Sequence, residues 1–209
     1  MHNRSSIIRM SHYRNAVLRL KAMNFVRVFS DNLADAAGVT ADQVRKDFSI
    51  FGITGSRRGG YKVEELIEKF NSILGKDELQ KFIIVGVGNL GRALLQYPDF
   101  EKHGIKIVTG FDIDTGKHNR DSKVPVLPIE ELPEFVEREK IKLAVITTPD
   151  YAAQKTLDFM VPAGIRGVLN FAPVCLRGPE GVVINNISLV SEMENIIYFV
   201  NVAEKASEE

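Results

Sequence analysis

The stretch Lys81-Phe-Ile-Ile-Val-Gly86-Val-Gly88-Asn-Leu-Gly91 carries the most specific chemistry of this chain. An apolar, β-branched run leads into G-x-G-x-x-G, and a helical pattern starts at Asn89. That strand–turn–helix context lifts the motif above a chance match. In it, Gly86 permits a tight turn, Gly88 lets a pyrophosphate approach the backbone, and Gly91 lets helix and strand pack closely. Val87, Asn89 and Leu90, between and beside the glycines, supply N–H groups that face phosphates at the helix start. Asp112 follows Gly91 by 21 residues, the spacing of a carboxylate that holds an adenosine ribose diol, with Asp114 as the alternate. Such a carboxylate repels a 2′-phosphate, and no arginine lies between Asp112 and Gly116, so NAD(H) is favoured over NADP(H). The competing reading of Asp112 is an exposed loop carboxylate.

The elements needed to position these residues alternate. After Gly91 a helix is expected to about Tyr97, broken by Pro98, and then a strand over 105–111. A short strand is expected near 124–127, a helix over 130–139, and a strand over 143–147. A helix to about Val161, stopping before Pro162, and a strand over 167–169 follow. Alternation of β and α predicts a doubly wound parallel sheet of the Rossmann type, with ligands at the carboxyl ends of its strands. Gly86–Gly91, Thr147-Thr148-Pro149 and Asn170-Phe171-Ala172-Pro173 all fall at that edge. The last two can give amide contacts and an apolar wall for a nicotinamide ring. The same residue types also occur as ordinary loop chemistry.

About eighty residues precede the glycine motif. A helix is expected over 12–28, with Tyr13, Val17, Leu20, Asn24 and Val28 on one stripe. Ser30 is the expected N-cap of a short helix over 32–37 that stops at Gly38. Thr40 caps a third helix over 41–51, ending at Gly52. Helix, glycine-containing turn, helix is helix-turn-helix grammar, spanning about Tyr13 to Gly52. Val44, Phe48 and Phe51 should face the core, leaving Gln43, Arg45 and Lys46 to meet base edges or phosphates. An ordinary solvated charged face would look the same. Gly55-Ser-Arg57-Arg58-Gly59-Gly60-Tyr61 then holds two arginines at a loop tip, suited to a two-stranded wing entering a minor groove. A helix over 63–74 closes this segment. The expected divisions are therefore 1–78 for DNA binding, 79–187 for the dinucleotide, and 188–209 for a terminal helix.

Composition supports this division. Up to Lys81 there are 14 Lys+Arg against 9 Asp+Glu; the rest holds 13 against 18, so a net charge of zero conceals +5 and −5. Such asymmetry suggests a polyanion partner for the first half, although two solvated faces of opposite sign also fit. No apolar run approaches bilayer length and no signal-peptide core is seen. The single cysteine, Cys175, excludes an internal disulfide framework, fits a reducing cytoplasm, and is expected to be a small buried apolar residue. No metal is expected. His2, His12, His103 and His118 form no arrangement that suggests an acid–base partner, and the chain past Phe82 is barely long enough for the dinucleotide fold. A dehydrogenase is therefore the weaker alternative, beside a nucleotide- or CoA-binding module without a DNA target. The terminal helix, expected from Ser188 to about Glu204, carries Leu189, Met193, Ile196, Ile197 and Val200 on one stripe. It packs on its own sheet or serves a dimer, and paired half-sites favour the dimer.

These residues together resemble the family of redox-sensing transcriptional repressors called Rex. The matching segments are Val44-Arg-Lys-Asp-Phe-Ser-Ile-Phe-Gly52, Gly55 to Tyr61, Gly86–Gly91, Phe111-Asp112 and Leu169-Asn-Phe-Ala-Pro173. The resemblance implies a winged helix on a Rossmann domain, and a homodimer with swapped C-terminal helices. It also implies binding to palindromic operator DNA at low NADH/NAD⁺ ratio and release by NADH, with no catalysis. In that family an aspartate at the start of the terminal helix takes part in switching with an arginine of the first helix. Here Ser188 stands in its place, so the counterpart, Arg9, is expected to lack an ionic partner.

Overall fold

A computed structural model describes residues 3–56 and 58–208. It separates into two compact units, one up to Leu79 and one from Gln80.

The first unit is helical, with a small β ribbon. Helix α1 (Arg4–Ala22) starts where Asn3 accepts the Ser5 N–H and ends ahead of Asn24, which is left-handed at φ +63°. It therefore begins and ends earlier than periodicity suggests. Val28 belongs instead to strand β1 (Arg27–Val28), although it is buried as expected. Helix α2 (Ser30–Ala37) is capped at Phe29, whose N–H donates to the Asn32 side-chain Oδ1 at 2.9 Å. Ser30 is thus inside the first turn and buried, not the cap. Gly38, at φ +66°, ends α2. Thr40 caps α3 (Ala41–Ile50) through the Gln43 N–H at 3.2 Å. Strand β2 (Tyr61–Lys62) pairs antiparallel with β1, and α4 (Val63–Ile73) follows. Met10, Tyr13, Val17, Leu33, Val44, Phe48, Leu66 and Phe70 form one core.

The second unit is a six-stranded parallel sheet in the order β5-β4-β3-β6-β7-β8. Its strands are β3 (Gln80–Val85), β4 (Ile105–Asp112), β5 (Val126–Pro128), β6 (Leu143–Ile146), β7 (Gly167–Asn170) and β8 (Val183–Asn186). β8 escapes sequence reading, because Val-Ile-Asn-Asn is short and half polar. The helices are α5 (Asn89–Leu95), α6 (Leu132–Glu139) and α7 (Asp150–Ala163). Pro162 lies inside α7, one residue from its end. In that last turn the proline costs a single helical hydrogen bond, so the helix closes around it rather than stopping before it.

The chain winds outward from β3 in one direction, then returns to β6 and winds in the other. The sheet reverses between β3 and β6, and a ligand crevice forms outside the strand ends at such a switch point. Ile83, Val85, Phe111, Ile146, Leu157 and Met160 build the core beneath it. Helix α8 (Leu189–Glu208) starts at Ser188, whose hydroxyl accepts the Ser191 N–H at 3.1 Å. Its large apolar residues are exposed: Met193, Ile196, Ile197, Tyr198 and Phe199 are each 60–67% accessible. No helix among the described residues is long and apolar enough to cross a membrane.

Candidate functional site

The glycine turn connects β3 to α5 at the reversal point. Gly86 has φ +94°, which an L side chain rarely adopts, and a Cβ there would lie 2.8 Å from the Thr148 nitrogen. At Gly91 a Cβ would lie 2.1 Å from the Gly86 carbonyl oxygen and 2.8 Å from Thr147 Oγ1. Both glycines thus serve the protein's own packing, bringing α5, the turn and the β6 loop together. Gly88 differs, since a Cβ there would meet nothing within 4 Å. Its bare backbone answers no internal demand and leaves room for a ligand to approach. The first-turn N–H groups of α5 lack intrahelical acceptors and border that space.

The loops after β6 and β7 lie along the same edge. Thr147 donates its N–H to Val85 O at 2.9 Å and its hydroxyl to Gly86 O, locking the β6 loop against the glycine turn. Thr148 Oγ1 is buried without a hydrogen-bond partner, an unmet demand a bound polar group would satisfy. Pro149 caps α7 and is exposed. Asn170 is fully buried and committed inward: it donates to Val174 O at 2.7 Å and Asn186 Oδ1 at 2.9 Å, and accepts from the Ala172 N–H. Its amide shapes the loop instead of facing a ligand, and Ala172 is buried with it. Phe171, half-buried, and Pro173, exposed, form the accessible part of that wall. Cys175 in the same loop is exposed, contrary to expectation, because Ala172 and Leu176 take the inward positions.

Asp112 ends β4 and is not an exposed loop carboxylate. Its Oδ2 accepts the Val87 N–H at 2.6 Å and the Lys117 ammonium at 3.0 Å, while Oδ1 accepts the Asp114 N–H at 2.9 Å. Burial pushes this carboxyl up, but those three donors outweigh it and hold it below the usual carboxylate range. Oδ2 organises the glycine turn; Oδ1 keeps a lone pair for a ribose hydroxyl. Asp114 is the more exposed carboxylate and caps the short turn Thr115–Lys117. Lys117, just beyond the segment Asp112–Gly116, is the cation nearest these carboxylates. It is occupied by Asp112, with Asp114 at 3.9 Å. These residues fit a dinucleotide: a bare turn for phosphates, a satisfied carboxylate beside it and an orphaned hydroxyl opposite. A separate cavity of about 720 Å³ flanks Val87 on the α5 side, lined by Arg92, Lys117 and Lys123 over Ile105 and Ile107, and does not reach the β6 and β7 loops.

In the first unit, α3 presents Asp42, Arg45, Lys46, Ser49 and Ile50 to the outside, and buries Val44, Asp47 and Phe48. Arg45 is held by Asp42 at 2.5 Å. The Gln43 amide donates one N–H to Asp47 at 3.0 Å, which leaves its second N–H and its Oε1 for a base edge. Asp47 also accepts Arg9 Nε at 2.6 Å, Arg9 Nη2 at 2.7 Å and the Tyr13 hydroxyl at 2.9 Å. Arg9 therefore has an ionic partner, against the expectation drawn from Ser188: the carboxylate comes from the third helix of its own unit. A buried acid reads in sequence as one more charge on a charged helix, so nothing before the fold reveals it.

The wing is closed at its base by Ser56 and Gly60, which exchange backbone hydrogen bonds of 3.0 and 2.8 Å. Its second strand runs on into β2, which pairs with β1, so the ribbon also draws on residues 27–28. Arg27 donates to the Gly59 carbonyl, adding a cation that the reading of the wing alone overlooks. Arg58 is exposed, and Arg57 lies outside the described residues. Tyr61 packs edge-on against Phe48 with centroids 4.9 Å apart, so its ring orients the wing from below. Among the described residues no group of His, Cys, Asp and Glu could hold a metal ion.

Residues 77–174 match the family model for a CoA binding domain, and residues 4–49 that for a putative DNA-binding protein N-terminus. The redox-sensing transcriptional repressor Rex of Lactobacillus acidophilus is 39% identical over 194 residues, 92% of each chain. The crystal structure of RSP in complex with β-NADH is 33% identical, with TM-score 0.87, covering 100% of this chain and 98% of that one. RSP in complex with β-NAD⁺ and operator DNA is 33% identical, with TM-score 0.90, covering 100% and 96%. The glycine turn at a sheet reversal, the helix-turn-helix with its wing, and likeness along the whole chain agree: this protein belongs to the Rex family of redox-sensing transcriptional repressors.

Proposed function

We propose that this chain is a NAD(H)-responsive repressor that binds a palindromic operator as a homodimer and is released by NADH. The observation that carries the reading is Gly88, a glycine that packing does not require, at the sheet reversal of a chain that also carries a winged helix-turn-helix. Gly86–Gly91 holds the pyrophosphate, with Asp112 on the adenosine ribose and Asp114 beside it. Thr147, Thr148 and Pro149, with Phe171 and Pro173, border the nicotinamide, while Asn170 and Ala172 support that loop. Arg45, Lys46, Arg57, Arg58 and Gly59 meet the DNA, and Thr40 fixes the start of the helix that does so. Residues 1–78 form the DNA-binding domain, 79–187 the nucleotide domain, and 188–209 the dimerisation helix. The protein acts in the cytoplasm and turns nothing over.

The two nucleotides differ only at the nicotinamide ring, and moving a population from 1:99 to 99:1 takes about 5.5 kcal/mol of preference. Titrating an operator complex separately with NADH and NAD⁺ tests the reading. NADH should dissolve the complex at concentrations where NAD⁺ does not. Equal effects of the two would end the redox claim, and steady consumption of NADH with a carbonyl substrate would point to an oxidoreductase instead. Operator binding that survives Arg57→Ala with Arg58→Ala unchanged would remove the wing from the interface.

A further inference from the structure

The outward face of α3 carries one residue that electrostatics does not explain. At about 100° per residue, Lys46 lies about 160° from both Val44 and Phe48, so it marks the centre of the face opposite the core. Ile50 lies one turn on, only about 40° from Lys46 and about 6 Å further along the axis. It is 56% exposed and contacts no core, whereas the other residues near that centre, Asp42 and Lys46, are charged. A lone exposed isoleucine is ordinary on a protein surface. This one is the last residue of α3, on the face that the helix-turn-helix offers to a major groove, where a side chain that cannot hydrogen-bond leaves phosphates and polar base edges unsatisfied. One feature of the groove suits it, the C5-methyl of thymine.

We infer that Ile50 reads a thymine methyl in each half-site, about two base pairs from the position Lys46 reaches. The spacing follows from 6 Å of helix against roughly 3.4 Å per base pair. This rests on the operator-binding function above and adds a base identity to it. Burying one methyl corresponds to about fourfold in affinity per half-site, or about fifteenfold when both symmetric thymines are changed.

The test uses the full chain and the tightest duplex that it selects from a random library. Each thymine is replaced in turn by uracil, which removes only the methyl. Uracil at one symmetric pair should weaken binding about fifteenfold, and Ile50→Ala should bind both duplexes with equal affinity, near that of the wild type on uracil. Nucleotide affinity of Ile50→Ala should be unchanged. If the wild type tolerates uracil everywhere, or Ile50→Ala remains as sensitive as the wild type, the inference is overturned while operator binding stands. If no duplex is selected, the function it rests on falls with it.

Discussion

Replacing Asp47 by alanine should destabilise the DNA-binding unit as much as emptying part of its apolar core. The carboxylate is fully buried and accepts four hydrogen bonds, two of them from Arg9 and one each from Tyr13 and Gln43. Its loss leaves a hydroxyl and a guanidinium in a space shaped for an anion. Removing one partner of a buried ion pair costs about 3–5 kcal/mol. Because the Arg9 side chain is 24% exposed and retains some contact with water, the lower end, about 3 kcal/mol, applies. With a urea slope of about 1 kcal/mol/M for a unit of this size, the midpoint should fall by about 3 M. The chain has no tryptophan, so tyrosine emission reports the transition, and Tyr13 donates directly to the mutated group. A double-mutant cycle with Arg9→Ala should return a coupling of about 2 kcal/mol. A midpoint shift under about 0.5 M, or a coupling indistinguishable from zero, would refute the assignment of Asp47 as the tie between α1 and α3.

Acid should expose the same network. Burial pushes the Asp47 carboxyl up, but bonds from Arg9, Tyr13 and Gln43 bring it below its ordinary value. Its contribution is therefore complete above the unfolded value of about 3.9 and fades as pH falls through the lower folded value, so acid melts should show a steeper stability loss in the wild type than in Asp47→Ala. At the other site, Gly91→Ala drives a Cβ to 2.1 Å from the Gly86 carbonyl oxygen, and NADH titration by fluorescence should show at least about a hundredfold weaker binding. Asp114→Ser should raise NADPH affinity relative to NADH, because it removes a carboxylate and leaves Lys117 nearby; an unchanged ratio would take Asp114 out of the ribose site. Operator affinity should fall about 10³–10⁵-fold between 50 and 200 mM salt, and Arg58→Ala should flatten the log–log slope by about two, one for each chain of the dimer. Ile197→Asp on α8 should yield monomers in size-exclusion chromatography, a result that unaltered elution would contradict.

What could be read from sequence was periodic or punctuated. Val44 and Phe48 declare the buried face of α3 by spacing, and Gly38 and Gly52 declare its flanking turns. The G-x-G-x-x-G run and the alternation after it identify the sheet, since the central strands β3 and β6 carry the apolar runs Phe82–Val85 and Leu143–Ile146. What was hidden depended on contacts distant in the chain. Asp47 and Arg9 are 38 residues apart, and neither type predicts burial. Gln43 has the chemistry of a base reader, and its spacing does not reveal that Asp47 takes one of its two amide N–H groups. Asn170 has the chemistry of a ligand contact, but Asn186 on a strand too short to foresee claims it. Cys175 is apolar by type, and it turns outward because Ala172 and Leu176 take the buried positions on either side of it. Polar side chains are the ones misjudged, because their role follows from their partners and not from their spacing.

If the bare apolar face of α8 pairs two chains, as proposed above, chain concentration becomes an input to repression. A surface carrying Ile196, Ile197 and Phe199 in the open gains stability by pairing, and pairing obeys mass action. In the dimer proposed above, repression would depend on chain concentration as well as on nucleotide, and dilution after division would weaken it with no change in redox state. A truncated chain that keeps α8 and loses its DNA-binding unit would sequester intact partners in half-armed pairs. Such pairs reach one half-site only, so they forfeit the avidity of two linked contacts. One defective allele would then relieve repression in the presence of a normal one.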